Sequence, residues 1–442
     1  MLRMPPRPLL FATAVAVLCA ATSGLGFGYS SATAFRVFLS VKWNSIFASS
    51  LNVGGLVGSV LSGYLLSRKG RRWTLFCACL PGIIGWIWLF ISADAVYQSY
   101  SPSALFILGR ILTGVSAGMI IPSAAAYLIE IAPPEWHGVF GVLPQIGIVS
   151  GITVAYVFAA ILPWERAAFF DAVILLVLLL LLLILPESPK WLARSGYVQQ
   201  ASAAQSWLYG TESTVTEMEQ LKSTEEGAVD GVPRLVEYVY PCGGIPASLR
   251  SRLRVVLLLM VLQQLSGVNA ILYFAESVCM FGGSLQVSTC TILLGVSQQV
   301  FTVLSVYLIN RASRKQMLCW SSIIMASAHV LHALFLPLAS PDNPFGELSK
   351  CCIVIFLLGF SIGWGPLPIF VTLDLFSTAH RGFATGAGVA LNWIASFLVT
   401  LMFEPMNSVL GPSAVLLIFA AFCLVGWLFV RRYVPETPSS SC

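Results

Sequence analysis

The chain has 442 residues, of which 57% are hydrophobic and only 10% charged, with a formal net charge of +5. Soluble domains carry about 25% charged residues, so so apolar a surface must face lipid, and a water-soluble enzyme or binding domain is excluded. The small positive excess sits on scattered loop lysines and arginines and forms no basic domain, so a nucleic-acid partner is not expected.

In lipid every backbone polar group needs an internal partner, which leaves helices or a closed barrel. The apolar runs reach about 20 residues, the length that crosses a roughly 30 Å hydrocarbon core as a helix. Barrel strands alternate polar and apolar residues, and residues 174–185 do not. Twelve spans are expected, at 9–30, 43–66, 73–93, 102–129, 139–162, 167–185, 254–279, 287–309, 316–338, 349–373, 383–403 and 409–430. The first follows Arg3 and Arg7 as a signal peptide would. Its apolar stretch runs on to Phe27, and its loss would leave an odd number of spans, so it is read as span one. Between spans six and seven lies 187–253, the only long polar stretch, with short amphipathic helices expected over 192–208 and 215–221 and a flexible tether over 227–231. The expected division is 1–186, a linker over 187–253, and 254–442. The eleven cysteines fall mostly in apolar runs without zinc spacing, and are read as small packed hydrophobes rather than disulfides.

The charges repeat. Arg68-Lys69-Gly70-Arg71-Arg72 follows span two, and Arg311-Ala312-Ser313-Arg314-Lys315 follows span eight. Glu130 ends span four and Asp374 ends span ten, each followed at one spacing by a basic-Gly pair, His137-Gly138 and Arg381-Gly382. Pro186-Glu187-Ser188-Pro189 closes the first apolar block and Pro435-Glu436-Thr437-Pro438 the second. A duplicated set of spans is the sequence sign of a transporter that alternates access. The expected fold is all-α and membrane-embedded, twelve transmembrane helices in two pseudo-symmetric six-helix bundles. The basic loops fall on one side, with Arg36, Lys42 and Arg166 as exceptions, so both termini are expected in the cytoplasm. Positive-inside topology explains one basic loop but not its duplication together with an acid. Arg71, Arg72, Glu130, Glu187, Arg311, Arg314, Asp374, Arg381 and Glu436 are therefore read as a cytoplasmic latch, whose ion pairs hold the inner ends of the two halves closed when the site faces outward and separate when it faces inward.

Uncharged polarity inside the spans is the second signal: Gln145, Gln263, Gln264, Asn269, Gln298, Gln299 and Asn392. An amide in hydrocarbon needs a partner, and helix–helix glue is the plainer reading for any one of them. Gln263-Gln264-Leu265-Ser266-Gly267-Val268-Asn269, however, packs three amides into two turns, and Asn392 stands beside Trp393. Amides that both donate and accept, next to an aromatic plane, suit a neutral polyhydroxylated ligand such as a sugar. The third signal is the segment 359–368, where Gly363, Gly365, Pro366 and Pro368 interrupt span ten as a hinge or gate.

Gly70-Arg71-Arg72, Gly109-Arg110, Tyr127, Glu130-Ile131-Ala132-Pro133, Pro186-Glu187-Ser188-Pro189-Lys190-Trp191-Leu192, the 263–269 segment, Asn392-Trp393 and Pro435-Glu436-Thr437 are similar to a known set. They resemble the sugar porter branch of the major facilitator superfamily, the facilitative hexose transporters, over nearly the whole chain. Gly28-Tyr29-Ser30-Ser31 and Gly363-Trp364-Gly365-Pro366 look closest to the intracellular-type subclass. The resemblance implies the major facilitator fold, hexose transport across a plasma, endosomal or lysosomal membrane, and no cofactor or metal. It implies a carrier that works as a monomer. It also implies sugar contacts at Gln145, Gln263, Gln264, Asn269 and Asn392, and an outer gate at Tyr273 and Phe274. The departures bear on which sugar: Gln298 stands where a site asparagine is common, Ile369 where a tryptophan is usual, and Met260-Val261-Leu262 replaces a Gln-Leu-Ser linked to glucose preference. Ser67 and Asn310 stand where an acid precedes each basic loop, and His137 where an arginine is usual, which puts a group titrating near neutral pH at that turn.

Proton-coupled relatives carry an aspartate where this chain has Ser30. Spans one to five hold no mid-membrane acid, and Asp171 and Glu276 are read as interface residues near span ends, which favours downhill uniport over proton symport. His329 and His332 are read as packing residues. A membrane-embedded enzyme would need a nucleophile, a metal cluster or a carboxylate pair, and the sequence offers none. A sugar sensor of this fold, or a carrier of polyols or anions, is the rival class.

Overall fold

The computed structural model describes residues 6–37, 41–93, 104–210, 247–280, 286–309, 311–340, 344–376 and 378–436. The first six spans are α1 (Arg7–Val37), α2 (Val41–Lys69), α3 (Arg71–Ile91), α4 (Ala104–Glu130), α5 (His137–Ile161) and α6 (Trp164–Ile184). Two short helices follow, α7 (Pro189–Arg194) and α8 (Val198–Tyr209). Span seven is α9 (Ala247–Leu265), α10 (Val268–Tyr273) and α11 (Ala275–Cys279); α12 (Val287–Ile309) and α13 (Arg314–Phe335) are spans eight and nine. Span ten is α14 (Phe345–Ile362) and α15 (Leu367–Leu375), and α16 (Thr378–Leu410) and α17 (Pro412–Tyr433) complete the set. Among the described residues there are twelve segments long and apolar enough to cross a membrane, and no strand. The helix expected over 215–221 and the tether over 227–231 lie outside the described residues.

The burial pattern is inverted relative to a soluble protein. On α12 the exposed stripe is Leu293, Val296, Val300, Val303 and Tyr307, while Thr291, Gln298, Thr302 and Ser305 are buried. Both stripes recur at helical spacing, so the apolar face is the one offered to the surroundings and the polar face points to the other helices, as lipid requires. Within the first half, α2 and α4 approach backbone to backbone. A Cβ at Gly114 would overlap the Leu51 carbonyl, and one at Gly118 the Gly55 carbonyl, so the small residues four apart set this spacing.

Several expectations change. Span seven is not continuous: Gly267 adopts φ 84°, in the left-handed region, and ends the helix between Leu265 and Val268. The Ser266 carbonyl released there bonds Nε2 of His329 at 3.0 Å, so this histidine supports the break as well as packing. Cys279 and Cys290 form a disulfide between α11 and α12, contrary to the reading of all cysteines as packed hydrophobes. Asp171 and Glu276, near the ends of their spans, are buried among other helices, at 2% and 3% exposure. The reason is the helix face: each lies on the side turned toward other spans, which distance from the span end does not reveal.

Candidate functional site

The amides of span seven meet those of span eleven because the Gly267 turn brings Gln263, Gln264 and Asn269 to one side. Gln264 Nε2 donates to Asn392 Oδ1 at 3.1 Å, and Asn269 Nδ2 donates to Gln264 Oε1 at 2.8 Å. Asn392 Nδ2 in turn donates to Gln263 Oε1 at 2.8 Å and to the Met260 carbonyl at 3.1 Å. Asn269 Nδ2 also reaches Ser396 Oγ on α16 at 2.7 Å. The result is a continuous chain of neutral donors and acceptors with no charge in it. Trp393, next to Asn392, is buried against Gly55 of α2, where a Cβ would lie 2.6 Å from the indole.

This chain also reaches the break in span ten. Gln263 Nε2 donates to the Trp364 carbonyl at 2.5 Å and the Gly365 carbonyl at 3.2 Å. Gly363, Gly365 and Pro366 release these carbonyls by interrupting the helix between Ile362 and Leu367, with Pro368 in the first turn beyond. Gly365 N–H re-bonds to Phe360 O at 2.8 Å. The span-ten break is thus hydrogen-bonded to the amide cluster. Tyr273 and Phe274 are fully buried: Tyr273 stacks on Phe27 of span one with ring centroids 5.7 Å apart, and Phe274 packs on Phe403 at 5.2 Å.

Two expected site residues are not bonded into the cluster. Gln145 on α5 is half-buried without a hydrogen-bond partner among the described residues. Gln298 is buried with Oε1 unpartnered. The neighbouring Gln299 accepts from Ser150 of α5 at 3.2 Å, a link between the two halves. One residue was missed in the sequence: Asn52 on α2, fully buried and bonded to Tyr273, Ser396 and Thr400. Its signal was available, since it too is an amide within an apolar run.

Comparison with known proteins now decides the family. Residues 11–442 match the family described as "Sugar (and other) transporter". The chain belongs to the sugar porter branch of the major facilitator superfamily. It is 31% identical over 396 residues to the facilitated trehalose transporter of Bombyx mori, covering 88% of this chain and 75% of that one. To the facilitated glucose transporter member 8 of solute carrier family 2 from Bos taurus it is 30% identical over 414 residues, covering 89% and 82%. It spans 44% of the longer trehalose transporter of Drosophila yakuba. The structure of the proton:xylose symporter XylE with 6-bromo-6-deoxy-D-glucose superposes with a TM-score of 0.79 over 98% of this chain and 97% of that one, at 23% identity. This sugar porter is a multi-pass membrane protein and not an enzyme.

The porter's charged loops sit where the repeat places them, but the described ion pairs run within each half, not between halves. Arg71 Nε and Nη2 donate to Glu130 Oε1 at 2.9 and 2.6 Å, and Ser188 Oγ donates to the other oxygen. Glu187 accepts from the backbone N–H of Arg71, Arg72 and Trp73 at 2.8, 2.9 and 3.3 Å, which caps α3. The Arg72 side chain donates to the Leu185 carbonyl at 2.8 Å. In the second half Arg314 pairs with Asp374 and donates to the Phe370 carbonyl at 3.0 Å, while Arg311 lies over the Tyr307 ring at 4.2 Å. Glu436 is exposed, and the Arg381 side chain lies outside the described residues. A bridge between the halves, expected only while the site faces outward, is not among the described ion pairs. Each acid is nearest the basic turn of its own half because spans two, three and four pack together, as do spans nine and ten. Tyr209 on α8 donates to the Ile131 carbonyl at 3.0 Å; burial, then the Glu135 carboxylate, raises its pKa above the usual tyrosine value.

Proposed function

We propose that the protein is a facilitative carrier of neutral sugars, hexoses first, which exposes one site to each side of the membrane in turn. The observation that carries this reading is the uncharged cluster of Gln263, Gln264, Asn269 and Asn392 beside Trp393. Its members donate and accept, as sugar hydroxyls do, and they bond to one another and to the adjoining Trp364 carbonyl and Ser396 hydroxyl. A sugar has only to exchange these bonds, so binding stays weak. Millimolar affinity is about −4 kcal/mol, within reach of a few hydrogen bonds at about 1 kcal/mol net each and a ring contact. Gln145 and the unpartnered Gln298 oxygen are further sugar contacts in this reading, and the span-ten break is the hinge. The halves 1–186 and 254–442, joined by 187–253, form the two moving bodies, the basic loops face the cytoplasm, and one chain suffices. Trehalose is the second cargo to try, because relatives that carry that name match over most of this chain.

Proton symport is favoured by one observation. Asp171, with Oδ1 unpartnered, lies within electrostatic reach of Arg110 beside a small cavity bounded by Tyr29, Ala155, Phe158 and Trp164. Reconstitution in liposomes with labelled glucose, fructose, galactose and trehalose, with and without a pH gradient, tests both. Counterflow indifferent to the gradient is the expected result. Accumulation driven by protons assigns Asp171 instead, and no counterflow of any sugar rejects the carrier reading.

A further inference from the structure

Asn52 is the only carboxamide in α2 on the described part of the helix beyond Asn44, and it is completely buried. Its partners all belong to the other half of the molecule. Nδ2 donates to Thr400 Oγ1 at 2.9 Å, and Oδ1 accepts from Tyr273 OH at 3.2 Å and Ser396 Oγ at 3.1 Å. The α2 side thus supplies one side chain and the α10 and α16 side supplies three. The contact lies in the half of each span away from the basic loops, together with two more cross-half bonds, Tyr156 OH to the Leu272 carbonyl at 2.8 Å and Glu276 N–H to Ser31 Oγ at 2.8 Å. Parting the halves at this end strips a buried amide of every partner, which is costly until water reaches it.

Ser396 makes this contact more than a clasp. Its hydroxyl donates to Asn52 and accepts from Asn269 Nδ2, and Asn269 is bonded to Gln264. One unbroken path therefore runs from α2 through Ser396 and Asn269 to Gln264, Asn392 and Gln263, and on to the carbonyls of the span-ten break. Hydrogen bonds in such a chain polarise one another, so removing one link weakens the next. A hydroxyl-bearing ligand that takes the Asn269 N–H leaves Ser396 a poorer donor to Asn52.

We propose that Asn52 is a positioning residue that locks the end opposite the basic loops, and that sugar loosens the lock by drawing Asn269 away from Ser396. The inference rests on the carrier reading for its ligand. It gives the occupied carrier a faster change of state than the empty one, because only the empty carrier has the full chain to break.

The test compares two fluxes in liposomes, labelled glucose leaving against sugar-free buffer and against unlabelled glucose. Wild type is expected to exchange several times faster than it empties. In Asn52→Leu, which fills the space without bonding, the empty carrier is freed and the ratio falls toward one, an effect of about tenfold on that step for the bonds lost. Thr400→Val, which removes one acceptor at equal volume, should move the ratio the same way by less, and serves if the first variant does not fold. A residue that only supports the fold lowers both fluxes together and leaves the ratio alone. A wild-type ratio of one, or an unchanged ratio in a well-folded variant, overturns the proposal. Hydrogen–deuterium exchange across 268–279 separates this from failure of the carrier reading. Asn52→Leu raises uptake there whether or not sugar is carried, and unchanged uptake overturns the lock itself.

Discussion

Glu187→Ala tests how the turn after span two is held. The Glu187 carboxylate takes two good hydrogen bonds, from Arg71 N–H and Arg72 N–H, and a longer one from Trp73 N–H at 3.3 Å. These are the orphan donors of the first turn of α3, whose own N-cap, Gly70, has no side chain to offer. Losing a side-chain cap costs about 0.5–2 kcal/mol, and losing a negative charge at a helix N-terminus about 0.3–1 kcal/mol more at a partly exposed site. We expect Glu187→Ala to lose about 2 kcal/mol, which at roughly 2–4 °C per kcal/mol for a body of this size lowers the unfolding midpoint by roughly 4–8 °C. Glu187→Gln keeps an acceptor oxygen and drops only the charge, so it should lose less than half of that. Tryptophan fluorescence during thermal unfolding in nanodiscs reads both variants side by side. An alanine variant as stable as wild type, or a glutamine variant as damaged as the alanine one, refutes the capping argument.

Gln264→Ala and Asn269→Ala should each cut glucose counterflow at least tenfold, with insertion and monodispersity unchanged; wild-type rates in both remove the site assignment. Gly114→Ala drives a methyl group into the Leu51 carbonyl and should cost about 1–3 kcal/mol, seen as a lower unfolding midpoint, whereas the same change at Gly63, where a Cβ meets nothing, should not. Cys279→Ser should lower stability by about 2–4 kcal/mol and abolish the effect of reductant on it, while wild type is destabilised by reductant.

Run length, repeated charges and the glycine-proline cluster made the twelve spans and the break at Gly363 to Pro366 legible in the sequence, since each depends on local chemistry. The break at Gly267 was not, because a glycine can continue a helix or turn left-handed with similar ease, and the sequence around it does not say which. Here Phe419 lies where a side chain would go, with a ring carbon 2.5 Å from an added Cβ. The amide cluster was legible as composition, and Gln263, Gln264, Asn269 and Asn392 do meet. Asn52 escaped because no other amide lies within two turns of it along its helix. Pairing is a matter of neighbours in space: Glu130 and Asp374 were found from the repeat, but that each bonds the arginine of its own half follows from helix packing the spacing does not encode. Cys279 and Cys290 needed the same information, namely that α11 and α12 stand side by side.

Glu187 belongs to the chain leaving span six, yet its grip is on the first residues of α3, and Tyr209 farther along is tied to the end of α4. The segment that departs from the first six helices is therefore riveted to them at two points before it sets out toward the others. If the six helices move as one body, as proposed above, a tug arriving along this segment is spread over several of them at once rather than over the single seam where the force enters.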